Sequence, residues 1–167
     1  MRKSLLLLVM LVSAAVAAAQ PDRVYKSLGE VQDPQDVYIL QLRGKRLKAI
    51  PAEVYAMGNL RQLDLRGNRI KELSDSIALL ANLERLVLSR NPIAELPESI
   101  AQLEHLEELV LWDTRIATLP EAFAKLDGIL QTLDLRSCPL TPDSQAAIER
   151  LLPSVKKIWD QACNCGD

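Results

Sequence analysis

The chain has 167 residues and a formal net charge of −2, with 49% hydrophobic and 25% charged residues. That length is one domain's worth. The slight acidity argues against nucleic acid as a partner, because such proteins present a basic face.

Residues 1–19 read as a secretory signal peptide. Arg2 and Lys3 form a short positive region, Leu5 to Val16 is nearly all apolar, and Ala17 and Ala19 supply the small residues of a cleavage site. The apolar run falls short of the roughly 20 residues that a spanning helix needs, which disfavours an uncleaved anchor. No cysteine follows it, so lipoprotein-type attachment is not supported. Removing nineteen residues, two of them basic, leaves 148 with a net charge of −4. No later segment is apolar enough to span a bilayer, and the polar end DQACNCGD lacks a GPI-type tail. The expectation is an exported protein (periplasmic, cell-surface or secreted) with no membrane span after cleavage.

Residues 20–36 are expected to form an N-terminal cap, with Val24, Leu28 and Val31 on one face of a short helix. From Val37 to about residue 140 one phrase recurs: L-x-x-L-x-L-x-x-(N/T/C)-x-(I/L). Its full copies are LRQLDLRGNRI, LERLVLSRNPI, LEELVLWDTRI and LQTLDLRSCPL, opening at Leu60, Leu83, Leu106 and Leu130; VYILQLRGKRL from Val37 is a degenerate copy. The first half of each unit alternates with period two, as a strand does. The second half (IPAEVYAM, LSDSIALL, LPESIAQL, LPEAFAKL) spaces apolar residues three or four apart, as in Leu96, Ile100 and Leu103, which suits a short helix. Pro51, Pro97 and Pro120 stand where such helices begin. About five strand–turn–helix units of this period make a leucine-rich repeat solenoid, in which each unit contributes one layer to a shared core. The fold class is α/β, with a parallel concave sheet and short convex helices, capped at both ends. In the second full unit Leu60, Leu63, Leu65, Ile70, Leu73, Ile77 and Leu80 point inward. Asn68 and Asn91 also lie inside, bonding turn backbone, while Lys45, Thr114 and Cys138 interrupt that ladder.

Residues 141–160 form the C-terminal cap. A helix starts at Thr141 to Asp143, turns Ile148, Leu151 and Leu152 inward and ends at Pro153; SVKKIW is a last strand. The spacing sets Val155 at the second repeat leucine and Lys157 at the third, an inward charge that closes the sheet edge. Residues 161–167 are a tail. Of three cysteines, Cys163 and Cys165 are too close in sequence for an easy mutual bridge. Cys138 reads as a small interior residue, and a Cys138–Cys163 or Cys138–Cys165 disulfide is the candidate pairing.

The phrase L-P-x-x-I-x-x-L at Leu96 to Leu103, with its relative at Leu119 to Leu126, resembles the 23-residue Ras-group class found in scaffolds such as Scribble and Erbin and in many bacterial proteins. The resemblance implies a binding architecture with no shared catalytic residues. Most such scaffolds are cytosolic, so the signal peptide is a departure, and its Ala-rich cleavage region suggests bacterial export.

No G-x-S-x-G, H-E-x-x-H, phosphate loop or C-x-x-C pattern occurs. The one histidine, His105, occupies a turn position. No enzyme activity, metal or cofactor is expected. The strand positions between the leucines line the concave sheet. Arg43, Arg66, Arg85 and Arg90 crowd its N-terminal half; Glu108, Asp113 and Asp134 lie toward the other end. Val87, Val110 and Trp112 make a central apolar spot, with Arg136 stacked on the indole. Trp, Arg and a dry patch are what binding hot spots use. The expected function is to hold a protein or peptide, preferably an acidic or carboxylate-bearing segment, against this face. The alternatives are a structural envelope or surface protein without a discrete ligand, and a binder of carbohydrate or a small anionic ligand.

Overall fold

A computed structural model of the protein describes residues 21–160; the signal-peptide reading and Cys163 and Cys165 lie outside them. Seven short strands stand side by side in chain order: β1 (Val24–Tyr25), β2 (Ile39–Gln41), β3 (Gln62–Asp64), β4 (Arg85–Val87), β5 (Glu108–Val110), β6 (Thr132–Asp134) and β7 (Lys156–Ile158). Every neighbouring pair is parallel. The sheet is open, and the stack is an arc of repeats.

The repeat leucines set the register. Leu40, Leu63, Leu86, Leu109 and Leu133 fall in one line across β2 to β6. All five are buried, as are the seven residues expected to point inward between Leu60 and Leu80. Strand alternation sends these leucines to one face, and stacking 23-residue units superposes them into a continuous core.

On the convex side the expected short helices are 3₁₀ turns: Ala52–Ala56, Asp75–Leu79, Glu98–Gln102 and Glu121–Leu126. Pro51, Pro97 and Pro120 cap three of them in extended backbone. A 23-residue unit leaves only five or six residues here. The tighter 3₁₀ coil rises about 2.0 Å per residue, so it spans the convex side with few residues while its bonds still close locally. Val54, Ile77, Ile100 and Phe123 bury the inner face of successive turns.

The asparagine ladder holds the turns together. The Asn68 amide donates to the carbonyls of Leu42 and Leu65 (2.8 and 2.7 Å) and accepts from the Leu47 N–H. Asn91 repeats this one layer on, donating to Leu65 and Leu88 (3.0 and 2.8 Å) and accepting from Ile70. In the last layers Thr114 Oγ1 meets Cys138 Sγ at 3.3 Å, and the thiol donates to the Leu111 carbonyl.

Both caps depart from the sequence reading. Val24 belongs to strand β1 and not to a helix, and Tyr25 extends the line of leucines by pairing with Leu40. Helical turning is confined to the short 3₁₀ pieces Leu28–Glu30 and Pro34–Asp36, each started by a polar cap, Ser27 and Asp33. At the other end α1 (Pro142–Leu151) starts at the Thr141 cap. The last strand is shifted by two residues from the expected register. Lys157, not Val155, aligns with the second leucine, Leu133. The Lys157 ammonium lies almost fully buried beneath α1, bonded to the Leu152 carbonyl at 2.6 Å and paired with Glu149 at 2.8 Å. A cation at the negative end of a helix is stabilised by the helix dipole, which compensates its burial at the sheet edge.

A concave candidate binding surface

The face opposite the core presents three rows of side chains, at about 4.8 Å from strand to strand. The middle row is Asp64, Val87, Val110 and Asp134. All four are buried, with Val87 at 0% and Val110 at 8% exposure. The expected apolar spot is therefore not open to a partner. Alternation sends these side chains away from the leucine core, but arginines of the outer row reach back over the two aspartates. Arg43 leans onto Asp64 at 2.7 Å, and Arg136 folds onto Asp134 at 2.6 Å.

The two aspartates are turn formers. Asp64 Oδ1 accepts the N–H of Arg66, and Asp134 Oδ1 accepts the N–H of Arg136, each two residues on. Burial pushes the Asp134 carboxyl up, but the bonds and charge of Arg136 outweigh it and hold the carboxyl below its ordinary range. Asp64 and Asp134 are thus occupied within the repeat.

The arginines are mostly occupied as well. Arg85 pairs with Glu108 in the first row through two bonds, Arg43 and Arg136 with the buried aspartates, and Arg90 with Asp113 at 3.8 Å. Arg66 has no carboxylate partner among the described residues; its Nε donates to the buried Ser89 hydroxyl at 3.3 Å. Of the four arginines that the sequence crowded into the N-terminal half, Arg66 alone is free of a carboxylate among the described residues.

Trp112 is half-buried in the third row beyond β5. The side chain stacked on it is Arg90, whose guanidinium carbon lies 4.7 Å from the ring centroid. Arg136, the expected neighbour, is engaged by Asp134. Arg90 reaches the ring because it occupies the left-handed turn position after the strand. That position has φ of 64° and 70° at Gly44 and Gly67, and 57°, 57° and 53° at Arg90, Asp113 and Ser137. Glycine enters this region freely, whereas other residues pay roughly 1–2 kcal/mol. From here the Arg90 side chain lies across the neighbouring strand end, a placement that strand alternation does not reveal.

The outcome is a compact polar-aromatic surface around Arg66, Arg90, Trp112 and Asp113, built over the buried Ser89 and flanked by the Arg85–Glu108 pair. Among the described residues, no group of three or more His, Cys, Asp or Glu is placed to hold a metal ion, and no helix is long and apolar enough to cross a membrane. Cys138 sits behind this surface; burial pushes its thiol pKa up, Thr114 opposes this, and Asp134 and Asp113 add to it.

Comparison with known proteins bears on the fold. Residues 35–93 match the family described as Leucine rich repeat. The fold is a leucine-rich repeat arc. A leucine-rich repeat protein of Leptospira interrogans is 36% identical with a TM-score of 0.63, over 71% of this chain and 29% of that one. An internalin of Listeria monocytogenes aligns at 20% identity and TM-score 0.53, over 75% of this chain and 36% of its own. A plant peptide hormone receptor, RGFR1, solved in complex with RGF2, aligns at 22% and 0.53, over 66% and 18%. The last two likenesses show the leucine-rich repeat fold alone. The chain spans less than two fifths of the length of each of these proteins. No curated protein matches it.

Proposed function

We propose that this leucine-rich repeat chain is an exported interaction module that holds a protein or peptide segment against its concave sheet. The observation that carries the reading is Trp112, half-exposed on the sheet and fixed by the Arg90 guanidinium at 4.7 Å. An aromatic ring already held in place loses little entropy when a partner covers it. Arg66, next to Ser89 in its row, supplies a guanidinium that pairs with no carboxylate among the described residues. A segment with an apolar side chain over Trp112 and a carboxylate on Arg66 fits this pair. The receptor solved with RGF2 supports the reading as an instance of the fold holding a peptide. The export arm of the proposal rests on the N-terminal residues, from Arg2 to Ala19.

Selecting peptides from a random library on the immobilised protein, followed by hydrogen exchange on the complex, tests the reading. Protection at residues 87–90 and 110–113 is expected. Protection confined to the convex 3₁₀ turns would move the site to the other side.

A further inference from the structure

The two loops that follow β2 and β3 carry a second, separate surface. Residues 45–48 supply Lys45, Arg46 and Lys48, and residues 69–72 supply Arg69, Lys71 and a single acid, Glu72. All six are exposed. The loops are locked side by side: the Arg69 N–H donates to the Leu47 carbonyl at 2.8 Å, and the Leu47 N–H to Asn68 Oδ1 at 3.1 Å. Arg46 and Arg69 occupy the same position of consecutive repeats, as do Lys48 and Lys71, so the cations form two short files across adjacent layers.

Between them lies an open cleft of about 590 Å³, lined by Lys48, Arg69 and Lys71, with Glu72, Ser74 and the apolar Ala49 and Leu73. None of the five basic residues makes an ion pair among the described residues, whereas four of the five concave arginines do. The two loops thus carry five cations against one acid, Glu72, in a chain whose net charge is −2. A cleft of this size takes a small organic ligand, and adjacent ammonium and guanidinium groups match phosphate oxygens.

We propose that this flank binds a phosphate-bearing anionic ligand. The phosphate sits among Lys48, Arg69 and Lys71, its organic body lies against Ala49 and Leu73, and Lys45 and Arg46 add long-range attraction. Glu72 repels a second anionic group on its side, which favours a ligand charged at one end. The same chemistry is offered by a lipid headgroup and by a soluble phosphate ester.

Two probes separate these sources: flotation with vesicles of phosphatidylglycerol and phosphatidylcholine against vesicles of phosphatidylcholine alone, and calorimetric titration with sn-glycerol 3-phosphate. Both use the chain without residues 1–19. The variants are a flank triple, Lys48→Glu, Arg69→Glu and Lys71→Glu, and a charge-matched triple elsewhere, Arg115→Glu, Lys125→Glu and Lys156→Glu. Each basic residue near an anionic surface is worth about fivefold in binding, so the flank triple should weaken binding at least tenfold and the matched triple less than twofold. Vesicle binding with this pattern assigns a headgroup; glycerol phosphate binding with it assigns a soluble ester. Binding to neither probe, or equal loss in both triples, overturns the proposal. All six positions are exposed, and urea melts of the variants report folding separately. None of the residues around Trp112 is substituted, so a failure here leaves the reading of Trp112 untouched.

Discussion

Replacing Asn91 with alanine should be among the most damaging polar substitutions in the molecule. Its amide group donates to the carbonyls of Leu65 and Leu88 and accepts from the Ile70 N–H, joining three backbone groups from two layers. The residue is 2% exposed, so water does not replace the lost partners in place. Each hydrogen bond is worth about 1 kcal/mol net, and each buried group left unpaired costs about 1–3 kcal/mol. Some relaxation of the turn brings the expected loss to about 3–5 kcal/mol, a large part of the roughly 5–15 kcal/mol of a typical domain. Asn82→Ala is the internal control. Asn82 is exposed and makes one bond, to the Gly58 carbonyl at 2.8 Å, so its loss should cost about 1 kcal/mol or less. Urea denaturation followed by circular dichroism measures both, with an unchanged m-value showing that the same surface unfolds. A loss under about 1 kcal/mol for Asn91→Ala, or equal losses for the two variants, would refute the claim that the buried ladder couples the layers.

Three further outcomes follow from the concave surface. Arg90→Gly relieves the left-handed strain, about 1 kcal/mol, and gives up an exposed cation–π contact of about 0.5–1 kcal/mol and a surface ion pair worth little. Urea melts should thus show stability within about 1 kcal/mol of wild type, and a fall beyond about 2 kcal/mol would mean that Arg90 holds the turn itself. Asp134 is held below its ordinary pKa when folded, so it contributes stability above its unfolded pKa that is lost as pH falls through the folded value. Thermal melts from neutral pH down through the carboxylate range should show a shallower acid limb for Asp134→Asn than for wild type. Burial keeps the Cys138 thiol protonated, so alkylation mapped by peptide mass should be much slower in the native than in the unfolded protein.

The period of the leucines carried the register of β2 to β6, because burial of one strand face leaves no freedom to slip. The aspartates show where that logic stops. Alternation says which way a side chain leaves the strand, and not whether a long neighbour such as Arg43 or Arg136 folds back over it. The Arg90–Trp112 contact was equally hidden, since it depends on a left-handed residue whose side chain obeys no strand period. A signal was present in the aligned glycines, Gly44 and Gly67, which mark the position that Arg90 later fills. The caps misled for a different reason. Beyond Leu140 the 23-residue unit dissolves. Val155 imitates a repeat leucine and is buried, but the place opposite Leu133 belongs to Lys157, which is paired with Glu149 of α1. The basic flank was visible as Arg46 and Arg69, and Lys48 and Lys71, at repeat spacing. Loop residues carry no inward–outward alternation, so nothing in the pattern singled them out.

The most direct test of concave binding compares Trp112→Ala with Glu121→Ala, an exposed convex position, against a peptide selected on the wild-type protein. Isothermal titration should show Trp112→Ala weakening binding by about 2 kcal/mol or more, the range of hot-spot residues, with Glu121→Ala unchanged and both variants folded. Binding that survives Trp112→Ala but is lost with Glu121→Ala would contradict the account.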